Sequence, residues 1–463
     1  MYLFVHHCDL RIHDNNTLNY LIDNQLDFVP IFIFTAEQID ENPLKSEKSI
    51  RFMMESLMDL ASSYKKYNKD LHFYYGDTIE ILEDLIKKNK IIKGIASNMD
   101  YSPYALDRER QKEDLCNRYG LNYICLEDKL LNPVESILTK KNTIYTKFTP
   151  YYKNARENIV SKPKVISLEK NNSNTKDSIK LSNKYSLVLE SLLHKFKADP
   201  NVYINGGRDN ALKILEGIGK FEEYNEERNF PSINTTHLSA YLKFGCISIR
   251  EAYHAVLKNL GENNELLKQF YWRDFYNMIL FNFGSFDVPV SITKEKLNDI
   301  EWSKDNLEKW KQGRTGCPIV DAGMREMNTT GFMHNRCRMI VAMYLTYYLR
   351  IDWREGMRYF TQKLIDCDWA NNVGNWQWVA GVEKWSNDYY KVFSMESQVS
   401  RFDPDCIYIK QWVPELKQVD PKDIIHWDTN YTKYSIDNYP EPIIKNLKES
   451  RKIGIEMYKE VLR

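Results

Sequence analysis

The chain has no net charge: 64 Lys and Arg are matched by 64 Asp and Glu across 463 residues. That balance excludes a polycation gripping nucleic acid through bulk charge. A local basic groove stays open, because phosphate contacts depend on where the charge sits. No apolar run is long enough to span a bilayer, so no membrane association is expected. Met1-Tyr2-Leu3-Phe4-Val5 leads straight into His6-His7-Cys8-Asp9, and no secretory signal is expected. The eight cysteines (8, 116, 125, 246, 317, 337, 367, 406) contain no C-x-x-C pair. Neither a disulfide framework nor a metal site is expected from them. A glycine-rich phosphate loop is also missing, since His6–Asn15 holds neither G-x-G-x-x-G nor a Walker sequence. That sets aside a standard nicotinamide or ATP domain. The expectation is a soluble monomer of a reducing compartment, cytoplasm or nucleus.

At this length two or more domains are expected, and a hydrophobic content of 43% suffices for packed cores. Tyr2–His7, Phe28–Phe34, Leu71–Tyr75, Ile91–Ser97 and Asn122–Leu126 read as buried strands. Ser49–Lys66, Thr78–Lys90 and Pro103–Tyr119 carry helical spacing between them. Strands alternating with crossover helices predict a five-stranded, parallel, doubly wound α/β sheet in residues 1–130. The crevice at the carboxyl ends of its strands suits a small planar ligand. Beyond Asn132-Pro133 the pattern loosens. Thr146–Tyr152 is aromatic and expected to pack, whereas Lys170–Ser178 reads as a polar surface loop. We place an interdomain connection at 131–200 and an all-α domain at 201–463, where strand signals nearly vanish. All ten tryptophans fall in that last part, at 272, 302, 310, 353, 369, 376, 378, 385, 412 and 427. Some are simply core, but the asymmetry favours a planar ligand or an aromatic pathway there.

Asp366-Cys367-Asp368-Trp369-Ala370-Asn371-Asn372-Val373-Gly374-Asn375-Trp376-Gln377-Trp378 is the most polar candidate for burial. It places two carboxylates, four amides and three tryptophans in thirteen positions. Buried amides and carboxylates need hydrogen-bonding partners, which a planar heterocycle would supply. A polar turn between two amphipathic helices fits the same composition.

Five motifs carry a family resemblance. They are residues 2–16 with Asp9-Leu10-Arg11-Ile12-His13-Asp14-Asn15; Gly313–Arg325 with Gly316-Cys317-Pro318; Met333-His334-Asn335-Arg336-Cys337-Arg338-Met339; Ile351-Asp352-Trp353-Arg354-Glu355-Gly356; and the 366–378 stretch. In this order they resemble the photolyase/cryptochrome family, from the first strand to Tyr439-Pro440. The resemblance implies an N-terminal α/β domain, a long connection, and a helical domain holding FAD. A second antenna chromophore, folate or deazaflavin, is common in the family, and Asn98–Tyr104 borders its place without choosing one.

For FAD, the resemblance implies contacts from Tyr224, Thr235, Thr236, His237, Leu238 and Ser239, with hydroxyls and helix-start N–H groups suited to a pyrophosphate. It implies Asp366, Cys367 and Asp368 beside the flavin, Arg338 paired with Asp366, and Asn372 facing flavin N5. Plant cryptochromes typically carry an aspartate at that last position, so Asn372 points to repair over signalling. Trp376, Trp353 and Trp302 match the chain of tryptophans that carries electrons from surface to flavin, Trp302 only if a two-residue deletion is allowed. The DNA face implied comprises Arg228, Gln269, Trp272, Arg273, Tyr276, Asn335, Arg336, Trp378 and Arg401. Arginines neutralise phosphates, and tryptophans stack on bases turned out of the duplex.

Two features pull apart on the lesion. Gln269 stands where the best-known cyclobutane-dimer photolyases have a glutamate, as in 6-4 photolyases and animal cryptochromes. Asn335 and Met339 stand where 6-4 photolyases have a histidine pair, and Met339 matches the cyclobutane pattern. Loss of the histidines would damage 6-4 chemistry more than Gln269 would damage cyclobutane splitting. The implied activity is direct reversal of a UV-induced cyclobutane dimer in DNA: reduced FAD absorbs blue or near-UV light, lends an electron to the flipped dimer and recovers it. The alternatives are a 6-4 photolyase and a non-catalytic blue-light receptor; the latter often adds a long tail, and here the chain ends soon after Trp412–Leu416.

Overall fold

The structure, a computed structural model, describes residues 1–166, 181–284, 302–383 and 391–461. The expected strands form one parallel sheet: β1 (Tyr2–Val5), β2 (Phe28–Phe34), β3 (His72–Tyr75), β4 (Gly94–Asn98) and β5 (Asn122–Leu126), in the order 3-2-1-4-5. Tyr2 pairs with Phe28 on one side and Gly94 on the other. Every residue of β1, β2 and β4 is buried, because helices cover both faces of the sheet. The covering helices are α1 (Asn16–Asp23), α2 (Glu47–Lys65), α3 (Thr78–Lys88) and α4 (Pro103–Tyr119). Strand ends are shorter than periodicity suggests. After Val5 the chain turns, and His6 puts Nε2 2.7 Å from the Tyr64 hydroxyl. Helix α2 begins before Ser49 because Ser46 caps it, accepting from the Ser49 N–H at 3.3 Å.

Beyond Leu126 the described residues hold no further strand. Their main helices are α5 (Phe148–Ala155), α6 (Arg208–Glu216), α7 (Leu238–Lys243), α8 (Ile249–Leu260), α9 (Glu265–Phe283), α10 (Lys304–Gln312), α11 (Pro318–Thr330), α12 (Asn335–Met343), α13 (Trp353–Lys363), α14 (Trp369–Ala380), α15 (Met395–Phe402), α16 (Ile407–Trp412) and α17 (Leu447–Val461). The aromatic run around Thr146 does pack, with Phe148 and Tyr151 buried. The polar run Lys170–Ser178 lies outside the described residues.

One core joins sheet residues such as Phe4 and Phe32 to Tyr241, Phe244 and Ile249 of the α7–α8 region. A second lies mainly among the helices, from Tyr271 to Tyr458, with the α5 aromatics. The sheet and α8 are further tied by buried charge. Arg11 Nη2 sits 2.5 Å from Asp128 Oδ2, Arg250 Nε 2.8 Å from Asp14 Oδ2, and Arg250 Nη2 2.9 Å from Asp128 Oδ1. The Gly313–Arg325 motif is scaffold of the same kind. Asp321 accepts from the Thr315 N–H and hydroxyl at 2.7 Å each, from Gly316 N–H at 2.9 Å and from the Tyr439 hydroxyl at 2.8 Å.

Candidate functional site

The loop Asp366-Cys367-Asp368 precedes α14, and its charges are held from distant parts of the chain. Asp366 accepts from Arg338 Nη2 at 2.9 and 3.1 Å and from Ser239 Oγ at 2.7 Å. Burial works against its charge, and Arg338 more than offsets this, so the carboxyl is held below its ordinary range. Asp368 caps α14, accepting from Asn371 N–H at 3.1 Å, and its other oxygen lies 2.9 Å from Lys129 Nζ. Burial again opposes the charge while Lys129 and Arg273 favour it, and the net result is a carboxyl far below its usual range. Lys243 lies beneath the loop, donating to Ile365 O at 2.9 Å and Ser49 Oγ at 2.8 Å. Cys367 Sγ lies 3.7 Å from Thr361 Oγ1, and burial pushes its thiol up to about 11.

The expected phosphate segment leads into this cluster. Thr236 is buried and its hydroxyl accepts from Leu238 N–H at 3.4 Å, Thr235 is half-buried, and Ser239 reaches Asp366. Helix α7 is only six residues long, so side chains rather than a helix dipole are what the segment offers. His237 sits before α7 in a left-handed conformation, φ +52°, and its ring lies 4.3 Å from that of Phe332. The Arg338 guanidinium lies 5.4 Å from the same Phe332 ring. Tyr224 is half-buried, with its hydroxyl pKa raised by burial.

Two imidazoles here keep an unused nitrogen. His334 Nδ1 accepts from the Arg336 N–H at 3.1 Å, so Nε2 carries the proton, and that atom is buried without a partner among the described residues. His237 Nδ1 is buried and unpartnered in the same way. Burial drives both rings toward neutrality, His237 to about 4 and His334 to about 3. Buried polar atoms without partners suit a ligand rich in hydrogen-bonding groups, and FAD is such a ligand.

Asn372, on α14, spends its amide N–H groups on Met357 O and Thr361 Oγ1, both at 3.0 Å. A backbone carbonyl accepts only, so the amide orientation is fixed and its carbonyl oxygen remains for another donor. One turn on, Trp376 is buried edge-to-face against Phe360, centroids 5.0 Å apart. A Cβ at Gly356 would collide with this indole, and one at Gly374 with the Tyr276 ring, so both glycines are there for close approach. Trp353 is fully buried at the start of α13, one turn before Gly356, and Trp302 is half-buried just before α10. Among the described residues no ring contact links the three expected tryptophans directly; the indole next to Trp376 is Trp310, at 6.3 Å.

The expected DNA-facing residues separate into two groups. Arg336, Arg228 and Arg401 lie close enough that each cation disfavours the charge on Arg336, after burial, which is the larger effect. Arg336 is held by Asn229 Oδ1 and lies 4.3 Å from the Phe402 ring; Arg401 is exposed. Glu265 joins this group to α9, lying 3.5 Å from Arg228, while Gln269 donates to its carbonyl oxygen at 3.2 Å. Asn335 is exposed and Met339, four residues on, is half-buried. Trp272 and Trp378 are half-buried. Arg273 and Tyr276 are held differently. Arg273 donates to Lys129 O at 2.6 Å and Leu242 O at 3.2 Å, and its charge favours that of Asp368. Tyr276 is buried against Gly374. Sequence reading missed Lys129, Lys243 and Thr361; each looks like an ordinary surface or helix residue until the fold supplies its partner. The described residues hold no cluster of three or more His, Cys, Asp or Glu suited to a metal, and no helix long and apolar enough to cross a membrane.

Comparison with known proteins agrees with this geometry. Residues 2–167 match the family model described as DNA photolyase, and residues 266–460 the FAD binding domain of DNA photolyase. A deoxyribodipyrimidine photo-lyase of Alkalihalophilus pseudofirmus is 31% identical over 96% of this chain and 95% of its own. An archaeal photolyase from Sulfolobus tokodaii, solved with two FAD molecules, superposes with a TM-score of 0.85 at 33% identity over 99% of both chains. A Synechocystis cryptochrome shares the fold, with a TM-score of 0.83 at 23% identity over 100% of this chain and 99% of that one. The chain therefore belongs to the photolyase/cryptochrome family, as a sheet domain followed by a helical FAD-binding domain.

Proposed function

We propose that the protein is a light-driven DNA repair enzyme that splits cyclobutane pyrimidine dimers. The observation that carries this reading is the surface of α12. Asn335 and Met339 stand there without an accompanying imidazole, and the neighbouring His334 is buried, its Nδ1 spent on capping the helix. Repair of a 6-4 lesion would need a histidine acid–base pair, and cyclobutane splitting needs no obligatory general acid. Bound FAD supplies light absorption and reversible one-electron transfer.

The chain's own residues hold and tune that cofactor. Asp366 holds Arg338 in place, and that cation favours negative charge on a ligand beside it. His237, His334, Thr235, Thr236 and Ser239 offer donors and acceptors to its polar parts. Asn372, with both N–H groups held, presents a carbonyl oxygen that accepts from an N–H and so favours a reduced, protonated flavin N5. Buried Trp376, with Trp353 and Trp302, would resupply electrons to an oxidised cofactor. Arg228, Arg336 and Arg401 bind phosphates, while Trp272 and Trp378 meet the extruded bases. Gln269 spends one N–H on its own helix and keeps its carbonyl oxygen and second N–H for the lesion.

The test uses purified protein with photoreduced flavin and two oligonucleotides, one with a cyclobutane thymine dimer and one with a 6-4 photoproduct. Light-dependent loss of the cyclobutane lesion alone is expected. Repair of the 6-4 lesion alone would make Gln269 the better guide than Asn335 and Met339, and repair of neither by a photoreducible protein would favour a receptor.

A further inference from the structure

One aromatic contact crosses from the connecting segment onto α9. Phe148, the first residue of α5, lies flat on Trp272, with ring centroids 3.5 Å apart and planes 7° from parallel. Aromatic pairs ordinarily prefer offset or edge-on arrangements, so full overlap means that the surroundings hold both rings. Phe148 is itself buried, with Phe275 edge-on at 5.8 Å and Tyr152 stacked at 5.7 Å and 13°. Arg156 and Lys268 cover Tyr152 at 5.5 and 5.7 Å, which extends the stack to the surface. Phe275 also meets Trp272 edge-on at 5.9 Å, and Tyr276 lies near-parallel to it at 5.7 Å and 25°. Phe148 is thus fixed from the interior, whereas Trp272 stays half-exposed.

We propose that Phe148 is a positioning residue for lesion recognition: it covers one face of Trp272, fixes the plane of the indole, and leaves the exposed part of the indole as a platform for a base turned out of the duplex. This rests on the reading of Trp272 as a DNA contact. A ring that must be ordered when the base arrives costs binding free energy, and one already immobilised in the fold does not. Phe148 acts on the lesion through Trp272, so it changes the binding of damaged DNA and not the photochemistry that follows.

The experiment uses the flavin-loaded full chain and duplexes with and without a cyclobutane thymine dimer. Phe148→Leu is expected to weaken dimer binding about tenfold, with undamaged-duplex affinity within about twofold of the parent, on the scale of base–aromatic stacking. Repair per absorbed photon at saturating substrate is unchanged. Phe148→Tyr, which keeps the flat face, restores affinity. Tryptophan emission reports the geometry: Phe148→Leu shifts it, and the shift vanishes in a Trp272→Phe background. If the leucine variant does not load flavin, Phe148→Met carries the same test. Unchanged dimer affinity despite a shifted emission overturns the proposal. Tighter dimer binding also overturns it, because Phe148 would then occupy the place of the base. Trp272→Phe separates the two layers. If it leaves dimer affinity intact, the reading of Trp272 falls; if it weakens binding while Phe148→Leu does not, only the role of Phe148 falls.

Discussion

Two buried polar clusters in this fold have similar compositions and differ in how fully they are paired. Where the sheet meets α8, Arg11 and Arg250 answer Asp14 and Asp128, and Arg11 Nε is the one side-chain nitrogen left over. Around α7, α12 and α14, Asp366 and Asp368 are also answered, but His237 and His334 each keep a buried ring nitrogen unused and Asn372 keeps a carbonyl oxygen. The first cluster is nearly closed and joins two parts of the chain. The second gathers several unused polar atoms in one place. Residue type alone does not separate the two; the amount of unused hydrogen-bonding capacity does.

The largest effect should come from opening the closed cluster. Arg11→Met leaves Asp128 short of a partner in a dry setting, and breaking a buried pair this way costs about 3–5 kcal/mol. Chemical denaturation should show that loss, while the protein that still folds retains its FAD affinity. Asp366→Asn, nearly isosteric, removes the charge that orients Arg338. Hydrogen bonds to charged groups are worth about 1.5–3 kcal/mol, so retained flavin per chain, read from its visible absorbance, should fall about tenfold or more. At the arginine face no such closure is needed. Arg336→Ala should weaken duplex binding roughly uniformly across sequences and lower the salt slope by about one, measured by titration at several salt concentrations.

The smallest effect concerns a half-closed group. Asp274 accepts from the Leu131 and Asn132 N–H groups through one oxygen at 2.8 and 3.2 Å, its other oxygen has no partner, and burial pushes it up to about 7. A carboxyl raised on folding contributes stability in full below its unfolded value of about 4, and that contribution is lost as pH rises through the folded value. Asp274→Asn should therefore flatten the decline in Tm between pH 5 and 8, read by thermal melts across that window.

Much of this was legible in the sequence. Apolar runs located all five strands; the three central ones are buried throughout, as expected of a sheet covered on both faces, whereas the edge strands β3 and β5, also expected to be buried, are mostly half-buried. The 366–378 stretch stood out because so many amides and indoles sit together. Its supports were not legible. Lys129 lies 239 positions before Asp368, Ser239 127 before Asp366, and Phe148 124 before Trp272, and no local pattern announces such partners. The partners of Arg273 were hidden for the same reason: a helical arginine next to a tryptophan suggests a surface, and only the fold shows the two backbone carbonyls it donates to. The motif around Asp321 carried the family resemblance but is structural, its carboxylate occupied by nearby N–H groups and by the hydroxyl of the distant Tyr439.

The most direct test of the distinction between closed and open clusters is a thermal melt of flavin-free protein with and without added FAD. A ligand that binds only the folded state raises Tm in proportion to its affinity. A rise is expected in the parent chain, an equal rise in Arg11→Met from its lower starting point, and a much smaller rise in Asp366→Asn. An equal rise in Asp366→Asn, or no rise in the parent chain, would contradict the distinction.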